Sequence, residues 1–269
     1  MSHCYLFVPG HRSDRFTKAL ASHANFIIID LEDAVAPQDK SLARNNAVEW
    51  LSNNVSARHQ TILRINGLGT EYFAQDVQAL RDGDCAAIMV PKVESDQVLQ
   101  EIRSQLKGRS IPLIPIIESA LGLLNVQSIA QAHGVERLAF GSVDFQLDTG
   151  IPSEGQALLF ARSSIVIASA AAQLKSPIDG VTVQLDDESQ LNQDIQYAKS
   201  LGFGAKLCIH PSQVSATLAG FQPTPEEVHW AREVCEASQQ AMGNAVRLHG
   251  KLIDLPVVLR AKRILADLG

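Results

Sequence analysis

Two isolated carboxylates stand beyond apolar runs of the sequence. Glu118 directly follows the run Pro112–Ile117, and Asp144 comes shortly after Arg137–Phe140. Carboxylate oxygens and water are the ligands that Mg²⁺ prefers, and a site with few protein ligands leaves positions for substrate oxygens. The pattern predicts a Mg²⁺ site made by Glu118 and Asp144. The alternative is that each acid caps a helix or lies in a solvated loop.

Three more acids follow the apolar run Phe26–Ile29. Asp30, Glu32 and Asp33 lie within four consecutive residues. Carboxylates that surround a metal site often hold the water molecules bound to the ion. We expect these three acids to do so, and the alternative is an acidic turn that caps the next segment.

An arginine lies inside the apolar run Thr61–Ile65. Because burying an unpaired charge is costly, Arg64 must be paired or must face a functional cavity. Its planar guanidinium matches a carboxylate with two parallel hydrogen bonds. Beside a metal, Arg64 suits a substrate with a carboxylate next to a carbonyl or hydroxyl, and we expect Asn66 to contact the same substrate. The alternative for Arg64 is a structural salt bridge to one of the acids.

Three other polar residues have more than one interpretation. Lys92, which follows the run Ala86–Val90, is a Schiff-base nucleophile, an electrostatic contact for substrate, or a lysine at the rim of the core. Asp179 lies in the run Ile178–Val181 and is expected at the same mouth. His210 is expected to cap a helix that begins near Pro211.

Eight short apolar runs alternate with amphipathic segments along the chain. Runs of four to six nearly continuous apolar residues are typical of strands buried on both faces. The predicted strands are Tyr5–Val8, Phe26–Ile29, Thr61–Ile65, Ala86–Val90, Pro112–Ile117, Arg137–Phe140, Ile178–Val181 and Gly204–Cys208, and the predicted helices include Ser13–Ser22, Lys40–Asn53, Ser95–Leu106 and Ser189–Leu201.

The spacing of these elements predicts an α/β fold, the (β/α)₈ TIM barrel, since about 34 residues per unit is the size of a βα repeat. A barrel brings the residues that follow its strands to one mouth. The rival fold is a doubly wound open sheet, but no G-x-G-x-x-G follows the first strand. We expect residues 1–220 to form the barrel and residues 221–269 to form a C-terminal helical extension, with a helix over Val257–Leu268. The extension packs on the barrel or on a neighbouring subunit.

The composition excludes several classes of protein. The 269 residues carry 29 Asp and Glu against 23 Lys and Arg, a net charge of −6, which does not favour nucleic-acid binding. The four cysteines form no C-x-x-C pair, as expected of a protein in a reducing cytosol. The apolar runs are too short to cross a bilayer. The expectation is a cytoplasmic protein that binds neither nucleic acid nor membranes.

Nine segments in order along the chain resemble the citrate lyase β-subunit family, which also includes malyl-CoA and citramalyl-CoA lyases. They are L-F-V-P-G (Leu6–Gly10), D-L-E-D-A-V (Asp30–Val35), R-I-N (Arg64–Asn66), V-P-K-V-E (Val90–Glu94), I-I-E-S-A-L-G (Ile116–Gly122), F-G-S-V-D-F (Phe140–Phe145), I-D-G-V (Ile178–Val181), K-L-C-I-H-P-S-Q (Lys206–Gln213) and G-K-L-I-D-L-P-V (Gly250–Val257).

The resemblance implies a (β/α)₈ barrel that forms a homotrimer, with Mg²⁺ bound by Glu118 and Asp144. It implies that Arg64 binds the carboxylate of an α-keto acid, and that Asp254 reaches the active site of a neighbouring subunit. One residue departs from the family pattern: Val143 stands where relatives often have an acid, so a contact near the metal or a substrate preference differs.

The resemblance also implies the reaction, the cleavage of a carbon–carbon bond in a 3-hydroxyacyl-CoA to an α-keto acid and an acyl-CoA. Our hypothesis for Asp254 is that it protonates the enolate, or removes its proton in the reverse direction. Three residues, Arg12, Arg15 and Lys18, either meet the CoA phosphates or form a solvated helix face. The alternatives are a citrate lyase β subunit that acts on an acyl-carrier protein, a metal-dependent aldolase that needs no thioester, and a non-catalytic barrel that binds a metabolite.

Overall fold

A computed structural model describes residues 3–80, 84–266 and 268. Eight parallel strands form a closed barrel in the order of the sequence, with β8 pairing back to β1. Closure excludes the doubly wound open sheet and confirms the (β/α)₈ prediction. The strands are β1 (Cys4–Pro9), β2 (Phe26–Asp30), β3 (Thr61–Arg64), β4 (Ala87–Val90), β5 (Leu113–Ile117), β6 (Ala139–Phe140), β7 (Ile178–Asp179) and β8 (Ala205–Cys208).

Apolar side chains from all eight strands fill the inside of the barrel. Tyr5, Ile28 and Met89 are at most 1% exposed and belong to one buried cluster with residues of the other strands. All five residues of β5 are buried. A strand that is covered on both faces needs such a continuous apolar run, which is why the runs predicted the strands.

Helices surround the barrel strands. They are α1 (Phe16–Leu20), α2 (Lys40–Asn53), α3 (Phe73–Ala79), α4 (Asp96–Gln105), α5 (Ala120–Leu124), α6 (Val126–Gln131), α7 (Ser142–Thr149), α8 (Leu159–Ala171), α9 (Glu188–Leu201) and α10 (Ser212–Phe221), with 3₁₀ turns at Ser13–Arg15, Pro37–Asp39, Val55–Gln60 and Gly155–Leu158. The predicted helix Ser13–Ser22 is shorter in the structure, because its first turn is 3₁₀ and α1 ends at Leu20. The predicted helix over 189–201 begins one residue earlier, since the side chain of Asp187 accepts the N–H of Gln190 and caps it.

Residues 219–266 and 268 belong to a second compact unit. It contains α11 (Pro225–Gln240), an antiparallel hairpin of β9 (Val246–Leu248) and β10 (Lys251–Ile253), and α12 (Leu255–Ala266). Thr224 and Glu227 form a capping box at the start of α11. Ala231, Val234 and Ala261 lie in the core between the two long helices. The C-terminal helix α12 begins two residues earlier than the predicted Val257. The hairpin before it was not predicted.

No helix within the described part of the chain is both long and apolar enough to span a membrane.

Candidate active site at the carboxyl ends of the strands

The strand ends bring most of the predicted polar residues to one edge of the barrel. Asp30 and Arg64, the last residues of β2 and β3, are partners in the parallel ladder. Lys92 lies two residues beyond β4, and Glu118 is the first residue after β5. Because neighbouring parallel strands end on the same side, these side chains meet although up to 88 residues separate them in sequence.

Arg64 is bound by the acids of β2. Its Nε and Nη2 donate to the two carboxylate oxygens of Asp30 at 2.7 and 2.6 Å, and its Nη1 lies 3.1 Å from Oε2 of Glu32. The guanidinium also packs on the ring of Phe7, 4.6 Å from its centroid. Burial opposes the charge on Arg64, but the charge and hydrogen bonds of Asp30 outweigh it and raise the arginine pKa. The predicted alternative, a salt bridge to the acids, is present in the structure.

Asp30 also shapes the acidic turn that follows it. Its Oδ1 accepts the N–H of Glu32 at 2.9 Å and its Oδ2 accepts the N–H of Ala34 at 3.0 Å. Asp30 is fully buried, and both of its oxygens are committed to Arg64 and to this turn. It therefore acts as the capping acid that was the alternative to a role around the metal.

Glu32 links Arg64 to Lys92. Its Oε1 accepts a hydrogen bond from Nζ of Lys92 at 2.6 Å, while its Oε2 accepts none from the described residues and remains only in the ion pair with Arg64. Burial raises the pKa of Glu32 despite the two cations beside it. Asp33 is more exposed, and its carboxylate lies 3.6 Å from Nζ of Lys92.

Lys92 contacts the acids on both sides of it. Its side chain binds Glu32, and its backbone N–H donates to Oε1 of Glu118 at 2.5 Å. Its φ of 51° lies in the left-handed region, which is costly for a residue with a side chain and is found mainly where the surroundings demand it. Burial lowers the pKa of the Lys92 amine, but the hydrogen bond and charge of Glu32 more than compensate and raise it. A raised pKa favours the electrostatic interpretation over the Schiff-base nucleophile, which needs a neutral amine.

Glu118 is the most perturbed carboxyl group of the mouth. Its side chain is 5% exposed, and burial raises its pKa to about 8. The N–H of Lys92 and the charge of Arg64 lower the pKa of Glu118, but the charges of Asp144 and Glu32 raise it. Asp144 is thus close enough to Glu118 for its charge to act on that carboxyl group.

Gly141 allows the two acids to come together. Ile117 and Phe140 are ladder partners on β5 and β6, and the N–H of Gly141 donates to the carbonyl of Ile117 at 3.0 Å. A Cβ atom at position 141 would lie only 2.5 Å from Oε2 of Glu118, so a larger residue would displace that carboxylate. Gly141 also begins α7, whose first turn carries Asp144.

The charges around the mouth balance except at Glu118 and Asp144. Between β2 and β4, four acids lie among four cations, namely Asp30, Glu32, Asp33 and Asp76 with Lys40, Arg44, Arg64 and Lys92. Within the described residues, neither Glu118 nor Asp144 has an ion-pair partner. Two carboxyl groups that interact electrostatically and form no ion pair are chemically suited to a divalent cation with oxygen ligands. No group of three or more His, Cys, Asp or Glu side chains in residues 3–80, 84–266 and 268 is arranged to hold a metal.

Asn66 lies in the same region but is held by protein groups. Its Nδ2 donates to Asp76 at 2.6 Å and its Oδ1 accepts from Nζ of Lys40 at 2.7 Å. Nε of Arg44 donates to the other oxygen of Asp76 at 2.7 Å. Asn66 is 2% exposed, so its expected contact with substrate is indirect in this arrangement. Asp76 was not selected from the sequence, because an acid on an amphipathic helix reads as a solvated residue.

Comparison with known proteins identifies the family. The model of the HpcH/HpaI aldolase/citrate lyase family matches residues 3–211. This chain belongs to that family. The protein is accordingly a carbon–carbon lyase of the citrate lyase β-like kind.

Relatives of the HpcH/HpaI aldolase/citrate lyase family match nearly the whole chain. Citrate lyase subunit beta of Escherichia coli strain K12 is 33% identical over 278 residues, which cover 97% of this chain and 91% of that protein. The mitochondrial citramalyl-CoA lyase of Homo sapiens is 29% identical and covers 96% of this chain and 82% of its own. The structure of CitE from Mycobacterium tuberculosis in complex with magnesium, acetoacetate and coenzyme A has a TM-score of 0.87 at 31% identity, with 99% and 97% of the two chains covered.

The match to the HpcH/HpaI family model includes Arg64, Glu118 and Asp144 but ends before Asp254. Asp254 precedes α12 in the second unit, and its Oδ1 accepts the N–H of Val257 at 3.4 Å, in the position of a helix cap. Its expected role in a neighbouring subunit stays a prediction.

The remaining sequence candidates lie elsewhere on the barrel or its surface. Asp179, at the end of β7, is held by Nε of Arg162 at 2.8 Å and Nζ of Lys206 at 3.4 Å, and is thus paired structurally. Nδ1 of His210 accepts the N–H of Ser212 at the start of α10, as expected of a cap. Arg12 pairs with Asp14 at 2.8 Å on the surface, and Arg15 and Lys18 are exposed.

Proposed function

We propose that this protein is a Mg²⁺-dependent lyase that cleaves a 3-hydroxyacyl-CoA of the citramalyl-CoA or malyl-CoA type into an α-keto acid and an acyl-CoA. The observation that carries the proposal is the pair Glu118 and Asp144, two acids that interact electrostatically and form no ion pair within the described residues, close to the buried Arg64. The names of relatives support the substrate class, since they include a citramalyl-CoA lyase and CitE structures with magnesium together with coenzyme A or pyruvate.

Glu118 and Asp144 would hold the cation. Bound Mg²⁺ supplies a Lewis acid that lowers the pKa of the substrate hydroxyl and stabilises negative charge on oxygen. Glu118 is already aligned by the N–H of Lys92 on one oxygen and by the close approach of Gly141 to the other. The carboxylate therefore loses little conformational freedom when it binds a ligand.

Arg64 would bind the carboxylate of the α-keto acid half of the substrate. Its Nε and one N–H of Nη2 are taken by Asp30, and Nη1 faces Glu32, so the substrate takes the remaining Nη protons. The two acids hold the guanidinium plane in one orientation. This orientation selects the bond between the carbinol carbon, which bears the fixed carboxylate, and the carbon next to the thioester.

Lys92 and Glu32 would act on the electrostatics of the mouth. The ammonium of Lys92 is half-exposed and hydrogen-bonded to Glu32, and it offers positive charge to an anionic substrate. Glu32 has one oxygen that accepts no hydrogen bond from the described residues, which suits a bound water molecule. Asp33 contributes through its contact with Lys92.

Asp254 would provide the proton for the second product. In the cleavage direction the hydroxyl passes its proton to a water molecule, the carbon–carbon bond breaks, and its electron pair passes to the thioester as an enolate. The enolate carbon takes a proton from Asp254, and in the condensation direction Asp254 removes it. This role requires a homotrimer in which the residue comes from a neighbouring subunit, and we propose that assembly with it.

A second function has support from other relatives. Citrate lyase subunit beta of Leuconostoc mesenteroides is 32% identical over 97% of this chain, so a β subunit that cleaves a citryl thioester on an acyl-carrier protein to oxaloacetate is the alternative. A panel of citramalyl-CoA, malyl-CoA, citryl-carrier thioester and free hydroxy-keto acids, assayed with and without EDTA, separates these functions. We expect turnover of a CoA thioester that EDTA abolishes and Mg²⁺ restores. Turnover of free acids alone, or turnover that resists EDTA, would refute the proposal.

A further inference from the structure

A buried chain of four polar residues links two helices to the ends of β2 and β3. It consists of Lys40, Arg44, Asn66 and Asp76, which are at most 9% exposed, and we call it the Lys40 network. Asp76 accepts Nε of Arg44 on one oxygen and both the N–H and Nδ2 of Asn66 on the other. Asp76 thus fixes the backbone and the side chain of the residue that lies two positions after Arg64.

Lys40 connects Asn66 to the acidic turn. Its ammonium donates to Oδ1 of Asn66 at 2.7 Å and to the carbonyls of Leu31 and Glu32 at 2.8 Å each. An ammonium has three donors, and all three are used. Lys40 therefore joins the turn that carries Glu32 to the strand end that carries Arg64.

Stability alone is a weak reason for such a network. Burying an ammonium costs solvation free energy, and apolar replacements of buried ion pairs often leave proteins as stable or more stable. The network instead acts where the ladder between β2 and β3 has ended, beyond the paired residues Asp30 and Arg64. Without it, the segments that follow Asp30 and Arg64 would lose the contacts that set their relative position.

We infer that Lys40 and Asp76 are positioning residues for the α-keto acid half of the substrate. The Lys40 network fixes the turn of Glu32 against Asn66, and through these residues it orients the guanidinium of Arg64. Neither residue contacts substrate. The inference rests on the proposed function for the identity of the ligand, but the geometry of the turn is measurable without it.

Two variants test this inference. Lys40→Met keeps the length of the side chain and removes its donors, and Asp76→Asn keeps the size and removes the charge. We expect the Kd for pyruvate in the presence of Mg²⁺ to rise at least about tenfold in both, while the Kd for coenzyme A changes less than about twofold. We also expect faster hydrogen exchange in a peptide over residues 30–35, where the N–H groups of Glu32 and Ala34 are bound by Asp30.

Val77→Ala is the matched control. Val77 is fully buried on α3 beside Asp76, so the change removes packing but no hydrogen bond of the network. We expect it to lower stability while the pyruvate Kd and the exchange of residues 30–35 stay as in the wild type. Equal losses of pyruvate affinity in Val77→Ala and Lys40→Met would overturn the inference, as would unchanged exchange in both network variants.

Failure of the proposed function gives a different result. A wild-type protein that cleaves none of the thioesters and binds no pyruvate refutes the proposed function. The exchange measurement still decides the positioning role in that case, because faster exchange of residues 30–35 in Lys40→Met supports it and unchanged exchange overturns it. If Lys40→Met does not fold, Asp76→Asn carries the same comparison.

Discussion

The raised pKa of Glu118 predicts how the stability of the metal-free protein changes with pH. The ordinary pKa of this carboxyl is 4.5, and in the folded protein it is about 8. Between these values the folded protein keeps a proton that the unfolded chain has lost, so stability falls as pH rises. At roughly 1.4 kcal/mol per pH unit, the loss of folding stability between the two pKa values amounts to about 5 kcal/mol at most. Glu118→Gln cannot titrate and should escape this loss.

Urea denaturation in EDTA measures the effect. Trp50 lies in the barrel and Trp230 in the second unit, so fluorescence in a Trp230→Phe background reports the barrel alone. The free energy of unfolding of Glu118→Gln minus that of the wild type should increase by at least about 2 kcal/mol from pH 5 to pH 9. The variant thus gains stability relative to the wild type as pH rises. Gln accepts the N–H of Lys92 as Glu does, so the variant changes the charge and keeps the contact.

Magnesium should reverse the difference. A divalent cation supplies the ionic partner that Glu118 and Asp144 lack within the described residues, so Mg²⁺ at pH 8 should stabilise the wild type and have little effect on Glu118→Gln. The reasoning is wrong if the stability difference between the two proteins is the same at pH 5 and pH 9 in EDTA. It is equally wrong if Mg²⁺ stabilises both proteins to the same extent.

Three further results are expected. Gly141→Ala should weaken Mg²⁺ binding at least about tenfold by displacing Glu118. Position 67 has free space for a methyl group and an unstrained backbone, so Gly67→Ala should leave the Mg²⁺ affinity within about twofold in the same titration. Borohydride reduction in the presence of pyruvate should leave no adduct on Lys92 by mass spectrometry, since its amine stays protonated; an adduct would establish a Schiff base. Asp254→Asn should lower kcat by roughly 10²-fold or more without changing the Mg²⁺ affinity, and near-normal turnover would remove Asp254 from the mechanism.

The strands were predictable because each needs its own apolar residues. A strand buried on both faces has to be apolar throughout, and this requirement is local. The exceptions are β6 and β7, which are two residues long where four were predicted. Ala139 and Ile178 are the only ladder partners between them among the described residues, and the carbonyl of Leu138 accepts the N–H of Ile178 just outside this ladder.

The hairpin of the second unit had a signal that was missed. Val246–Leu248 and Lys251–Ile253 are separated by two residues, His249 and Gly250. Both have positive φ, 47° and 79°, as a type I′ turn requires. Histidine is an unusual first residue of such a turn, which hid it.

The order of the polar residues along the chain was enough to name Glu118, Asp144 and Arg64 as candidates, because a residue at the end of a barrel strand, or in the segment that follows it, can reach the mouth whatever its distance in sequence. Which acid pairs with which cation depends on distances across the ladder, and only the folded chain decides them. Asp30, which was expected to hold metal-bound water, pairs with Arg64 in the structure, while Lys40 and Asp76 reach this region from helices. Local sequence determines where a side chain stands on its own element, but its charge state and partners arise from residues that folding brings within about 4 Å.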